Sequence, residues 1–165
     1  MRSGWQSGRK RAARERGSRA AGEYQIPGKV WAKKDMRLVI GGSYQGKRDA
    51  ACRLFSLKPS DFADGKTCAF EDIFGCRAIF DFHEFIRRFM QPESCLQELS
   101  ENLAEKNPQI CIVSNEIGYG VVPIDAQERE WRELTGRICC QLARDADTVV
   151  RVTAGIPMVI KGNLK

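Results

Sequence analysis

From Met36 onward the chain switches repeatedly between short apolar runs and longer stretches in which apolar residues recur every three or four positions. Leu38-Val39-Ile40, Arg77–Phe82, Ile110–Val113, Thr148–Thr153 and Pro157–Lys161 read as strands. Asp49–Leu57, His83–Met90 and Glu93–Lys106 read as helices, with Pro92 as the break between the last two. A longer helix runs from Asp125, its cap, to about Asp145 and turns Trp131, Leu134, Ile138 and Leu142 to the core. Lys58–Lys66, with Pro59, Asp61, Asp64 and Gly65, reads as loop. Thr67–Phe70 reads as a short strand and Asp72–Phe74 as a helical turn. There is no internal repeat. Strands alternating with helices predict an α/β fold, a mostly parallel sheet flanked by helices.

The first strand leads into the chemistry. Leu38-Val39-Ile40 is followed by Gly41-Gly42-Ser43-Tyr44-Gln45-Gly46-Lys47-Arg48 and then a helix. Strand, G-x-x-x-x-G-K and helix is the arrangement of a phosphate-binding loop, in which backbone N–H groups surround a phosphate and the lysine reaches the outer phosphates. The alternative is a glycine-rich turn that binds nothing. After the lysine the motif takes Ser or Thr, whose hydroxyl binds Mg²⁺, and here stands Arg48, which has only donors. Asp81 closes the second strand, where P-loop proteins place a carboxylate for Mg²⁺; it serves equally well as a cap for the next helix. The polar, glycine-rich stretch Ser114–Pro123 leaves the third strand where open α/β sheets bind ligands. Together these predict a single P-loop nucleotide-binding domain over 36–165.

Charge separates that domain from what precedes it. Residues 1–35 carry +7, against +6 for the whole chain, so the remainder is −1 and the basic character belongs to the first 35 residues. Rich in Arg, Gly, Ser and Ala, they are predicted disordered. They read as an anion- or nucleic-acid-binding arm, as an organelle transit segment, or as no part of the working protein, since Met36 opens the first strand. The last is the favoured expectation, and nucleic-acid binding is not expected. No apolar run is long enough to span a membrane. Seven cysteines without a C-x-x-C read as buried or partly buried thiols of a reducing cytoplasm. With one histidine in the chain, neither a His/Cys zinc site nor a catalytic triad is expected. That histidine, His83, reads as a surface or capping residue rather than a phosphate or nucleotide carrier.

The GGSYQGK segment resembles the adenosylcobinamide kinase / adenosylcobinamide-phosphate guanylyltransferase family. So does IVSNEIGYGVVP with the following helix, which carries Arg129, Trp131, Arg132, Gly136 and Arg137. The resemblance covers most of 36–165, is strongest from 109 on, and includes none of 1–35. It implies a P-loop kinase of cobalamin biosynthesis, often a homotrimer, acting on adenosylcobinamide or a related corrinoid with ATP or GTP. By motif match it places Gly41, Gly42, Gly46 and Lys47 on the triphosphate, with Ser43, Tyr44, Gln45 and Arg48 in the same loop. It places Asp81 at a family acid (here the Mg²⁺ candidate) and Glu71 at an acid that contacts the guanylyl nucleotide. Asn115, Glu116, Gly118 and Gly120 fall in a shared substrate loop. Lys47 and Asp81 are the catalytic candidates.

Three departures accompany this: Arg48 for Ser/Thr, Cys139-Cys140 for a polar pair, and a shortened segment after the P-loop helix that lacks the family's guanylylated histidine. Guanylyl transfer is therefore not carried over. The alternative to a kinase is a catalytically degenerate relative that holds nucleotide or corrinoid in a regulatory role.

Overall fold

The computed structural model describes residues 34–90 and 95–164, and these fall in one compact unit, Ala32–Lys165. The expectations for residues 1–33 lie outside the described residues. Six strands form one sheet: β1 (Arg37–Gly41), β2 (Phe62–Asp64), β3 (Ala78–Phe80), β4 (Cys111–Asn115), β5 (Thr148–Thr153) and β6 (Ile156–Lys161). Their spatial order is β2-β3-β4-β1-β5-β6, all neighbours parallel except β5 and β6. This is the mostly parallel α/β sheet that the alternating pattern predicts.

Side chains alternate across the sheet, and each face receives its own helices. Val39, Cys111, Val113, Val150 and Val152 pack on α1 (Lys47–Phe55) through Ala50 and Ala51. Leu38, Ile79, Ile112 and Val149 face the other way, onto α2 (Phe82–Phe89), α3 (Leu99–Lys106) and α4 (Ala126–Asp145). Small residues let α1 sit close to its strands, whereas Phe82, Phe85, Ile86, Leu99 and Leu103 fill a thicker layer opposite. Asp125 caps α4 as expected, accepting from the Glu128 N–H at 3.0 Å.

Two local expectations are corrected. The edge strand β2 lies inside the stretch read as loop, while Thr67–Phe70 is not a strand. With three residues, β2 is too short to show a period of two; Phe62 holds it by packing edge-on against Phe80 at 6.4 Å. The Thr67 and Cys68 N–H groups both donate to the Asp64 carbonyl, which makes this stretch a turn.

The connections set the position of the site. The chain leaves β1 for β2 at one edge of the sheet and leaves β4 for β5 on the other side of β1. Adjacent strands whose connections depart in opposite directions open a crevice at their carboxyl ends.

Candidate functional site

At that crevice the loop after β1 turns on Gly41, Tyr44 and Gly46. Gly41 has no alternative: a Cβ there would stand 2.3 Å from the Val152 carbonyl oxygen. Gly46, at φ 74°, starts α1 without a side-chain cap, so no side chain occupies the N–H groups of the first turn. The turn between β5 and β6 steadies the loop: the Gly155 N–H donates to the Gln45 carbonyl at 3.2 Å and the Ala154 N–H to the Gln45 side chain. Tyr44 is fully exposed at the tip.

Lys47 is buried, and its Nζ donates to the Gly42 carbonyl at 2.6 Å, folded back across the mouth of the loop. Burial lowers its pKa, while the charges of Asp81 and Glu116 work to raise it. A cavity of about 460 Å³ opens beside it, lined among others by Ser43, Lys47, Asp81, His83, Asn115 and Trp131. Most of the residues expected in the P-loop, together with Asp81 and Asn115, thus meet in one place.

Other expected residues stand elsewhere. Glu71 is exposed on the 3-10 turn Glu71–Phe74 and does not line this cavity. Gly118 and Gly120 lie on an exposed loop beyond β4. Glu116 accepts from the Arg151 Nε at 3.1 Å, and its own N–H donates to the Gly41 carbonyl, so it ties β4 and β5 to the P-loop strand. The loop itself is gathered by Arg132 of α4. Its guanidinium donates to the carbonyls of Ile117 at 2.7 Å, Val121 at 2.7 Å and Tyr119 at 2.8 Å.

The structure does not make Asp81 a magnesium ligand. Its Oδ2 is 2.7 Å from the Lys66 Nζ. Arg48 points its guanidinium at the Pro59 carbonyl, 3.2 Å away, and over the Phe80 ring at 4.3 Å, so it offers nothing to a cation. No cluster of three His, Cys, Asp or Glu that would suit a metal occurs among the described residues. A donor-only side chain at position 48 and an ammonium already on the carboxylate do not fit a magnesium ion held by the protein. Asp81, the residue expected to hold Mg²⁺, is instead paired with the Lys66 ammonium.

His83 is also corrected, being neither a surface residue nor a cap. It is 4% exposed, its ring stacks on Trp131 with centroids 6.1 Å apart, and its Nε2 is 2.9 Å from the Asn115 Nδ2. The Trp131 indole N–H donates to the His83 carbonyl at 2.7 Å. Burial pushes its pKa down to about 4, so the ring is neutral near pH 7. The available signal was the spacing: two residues past a strand-end acid, a helical side chain turns back over the strand edge. Lys66 was missed because its stretch read as plain loop.

Residues 81–160 match the family model described as Cobinamide kinase / cobinamide phosphate guanyltransferase, CobU. Over these residues the chain is similar to that family. The bifunctional adenosylcobalamin biosynthesis protein CobU of Salmonella typhimurium is 40% identical over 53 residues, 32% of this chain and 29% of that protein. The CobP protein of the same description from Pseudomonas aeruginosa is 36% identical over 66 residues, 40% of this chain and 38% of that protein. The matched stretches therefore span little more than a third of these relatives at most. A solved structure from Pyrococcus horikoshii OT3 superposes with a TM-score of 0.31 and 5% identity over 79% of this chain and 75% of that one, too slight a likeness to support an argument. The cobinamide kinase match begins at Asp81 and takes in the Asn115–Gly120 loop, α4 and both strands of the β5–β6 hairpin, but not the P-loop. No described helix is long and apolar enough to cross a membrane.

Proposed function

We propose that the chain binds ATP or GTP at Gly41–Lys47 and transfers its terminal phosphoryl group to the hydroxyl of adenosylcobinamide or a related corrinoid. The observation that carries this reading is the shared cavity. Lys47 of the P-loop, Asp81 and Asn115 line one space, and the last two come from the family-matched residues. The substrate hydroxyl oxygen bonds to the γ-phosphorus, the bond from that phosphorus to the bridging oxygen breaks, and the nucleoside diphosphate leaves. The hydroxyl proton is released to a cavity carboxylate or to water. Lys47 neutralises charge on the transferring group, and catalysis is positioning and electrostatics. Guanylyl transfer is not proposed. The segment between α1 and β3 contains no histidine, and His83, the one in the chain, is buried between Asn115 and Trp131.

A second reading, a relative that binds nucleotide or corrinoid without turnover, is favoured by the Lys66–Asp81 pair and by Arg48. Single-turnover incubation of the chain with γ-labelled ATP or GTP and adenosylcobinamide, with and without Mg²⁺, decides between them. Label on the corrinoid, lost in Lys47→Ala, supports the kinase; nucleotide binding without transfer supports the binding module. The homotrimer that the resemblance implies is a further proposal. Ile156, Met158, Val159 and Ile160 on the edge strand β6 are exposed apolar residues suited to burial between copies. Light scattering checks it, and a monomer at all concentrations removes it.

A further inference from the structure

We propose that Lys66 does the work of a divalent cation at the outer phosphates, so that this site binds a nucleoside triphosphate without magnesium. The inference rests on the P-loop reading above and goes beyond it, because it replaces the metal with a named side chain.

Lys66 is held where a cation would act. Its Nζ is 2.7 Å from the Asp81 Oδ2, and both residues line the cavity beside Lys47. The backbone that carries it is fixed from three sides. The Gly65 N–H donates to the Phe80 carbonyl at 2.9 Å, and the chain passes so close to β3 that a Cβ on Gly65 would lie 2.3 Å from the Asp81 carbonyl oxygen. The Lys66 N–H donates to the Asp64 Oδ1 at 2.8 Å. Arg88 of α2 donates to the carbonyls of Gly65 at 3.1 Å and Cys68 at 2.8 Å. The turn is thus fastened to the strand end that bears Asp81.

An ammonium group has three donors and no acceptor. One donor on Asp81 leaves two for phosphate oxygens, bonds that are strong because both partners are charged. Lys66 thus adds a second positive charge to the one that Lys47 already brings to the cavity. Arg48 does not share this task, since its guanidinium is engaged by the Pro59 carbonyl and the Phe80 ring. A magnesium ion arriving with the nucleotide would have to stand beside Lys66 or separate it from Asp81, and both oppose its binding.

The test is calorimetric titration of the full chain with GTP, ATP and inorganic tripolyphosphate, in EDTA and in excess MgCl₂ at equal ionic strength. The expected result is the same Kd in both media to within about threefold, and a loss of about tenfold or more in EDTA for Lys66→Ala and Lys66→Gln, the size of one charge-assisted contact. The variants should also regain part of their affinity when Mg²⁺ is added. Lys66 is largely exposed through its side chain, so neither variant should disturb folding, which circular dichroism verifies. Wild-type binding at least about tenfold tighter with Mg²⁺, or variants with wild-type affinity in EDTA, overturns the proposal while leaving a nucleotide site in place. No binding of any probe in either medium overturns the nucleotide-site reading, and this proposal with it.

Discussion

Two loops at the carboxyl edge of the sheet are each gathered by an arginine from a helix behind them, and they differ in how their sequences register. Arg132 of α4 gathers the 117–121 loop by three carbonyls, and Arg88 of α2 gathers the 65–68 turn by two. Both arginines lie within the family-matched residues, and so does the first loop, but the turn carrying Lys66 lies outside them. The same physical device, a planar donor fork closed on backbone oxygens, therefore serves one loop that the family pattern reveals and one that it does not. A loop's chemistry is carried by its own residues; its placement is carried by an arginine elsewhere in the chain.

The comparison breaks most sharply at Gly65. A valine there would drive its Cβ into the Asp81 and Phe80 carbonyls, backbone atoms that cannot swing aside. Gly65→Val is expected to cost about 3 kcal/mol or more, lowering Tm by roughly ten degrees. Gly118→Val, in the other loop, has no atom within 4 Å of its Cβ and should leave Tm within a degree or two. Equal losses in a calorimetric melt would show that the 65–68 turn is no more tightly docked than the exposed loop.

His83 joins the two regions, and its protonation should strain both. It lies in the first turn of α2, whose last turn carries Arg88, and it meets Asn115 at the root of the other loop. Its pKa is depressed to about 4 in the fold, against about 6.5 when unfolded. Between those values the unfolded chain binds the extra proton, so the neutral buried ring stabilises fully above pH 6.5. That contribution falls as the pH drops toward 4 and changes no further below it. Urea melts of wild type and His83→Gln, compared from pH 7 to pH 4, should show a gap that shrinks by up to about 3 kcal/mol. A constant gap would mean that His83 is not buried as a neutral ring.

These regions also show what could be read in advance. The sheet's alternation and α4 were legible because Leu38-Val39, Ile112-Val113 and Val149-Val150 send neighbours to opposite layers, and because Trp131, Ile138 and Leu142 repeat at helical spacing. The P-loop was legible because its glycines and lysine are adjacent in sequence. Strand β2 was not, since three residues carry no period and its hold comes from Phe80, distant in sequence. Nor was the Lys66–Asp81 pair, which depends on Gly65 passing a strand end fifteen residues later. His83 was misjudged for the same reason: Trp131 and Asn115, which bury it, come from other elements.

Cutting the arginines compares the loops directly. Arg132→Ala removes three bonds and Arg88→Ala two, and most of the freed carbonyls can return to water. Losses of about 2 and about 1 kcal/mol are expected in denaturant melts, with Arg132→Lys recovering little because an ammonium cannot span the three oxygens. A larger loss at Arg88 would reverse the ranking and make the Lys66 turn the more tightly held of the two.

A small effect is expected at Asp125, where the matched loop runs into α4. Its carboxylate accepts from the Glu128 N–H at 3.0 Å, on the exposed surface. Asp125→Ala should cost about 1 kcal/mol, and Asp125→Asn, which keeps an acceptor oxygen, only a few tenths. The cap fixes where α4 begins, and Arg132 lies two turns further along that helix. If α4 holds the loop only through Arg132, Asp125→Ala adds independently to Arg132→Ala. A double variant whose loss departs from the sum by more than about 0.5 kcal/mol would show that cap and clamp form one unit, an arrangement for which the Lys66 turn has no counterpart, because its clamp lies at the far end of α2.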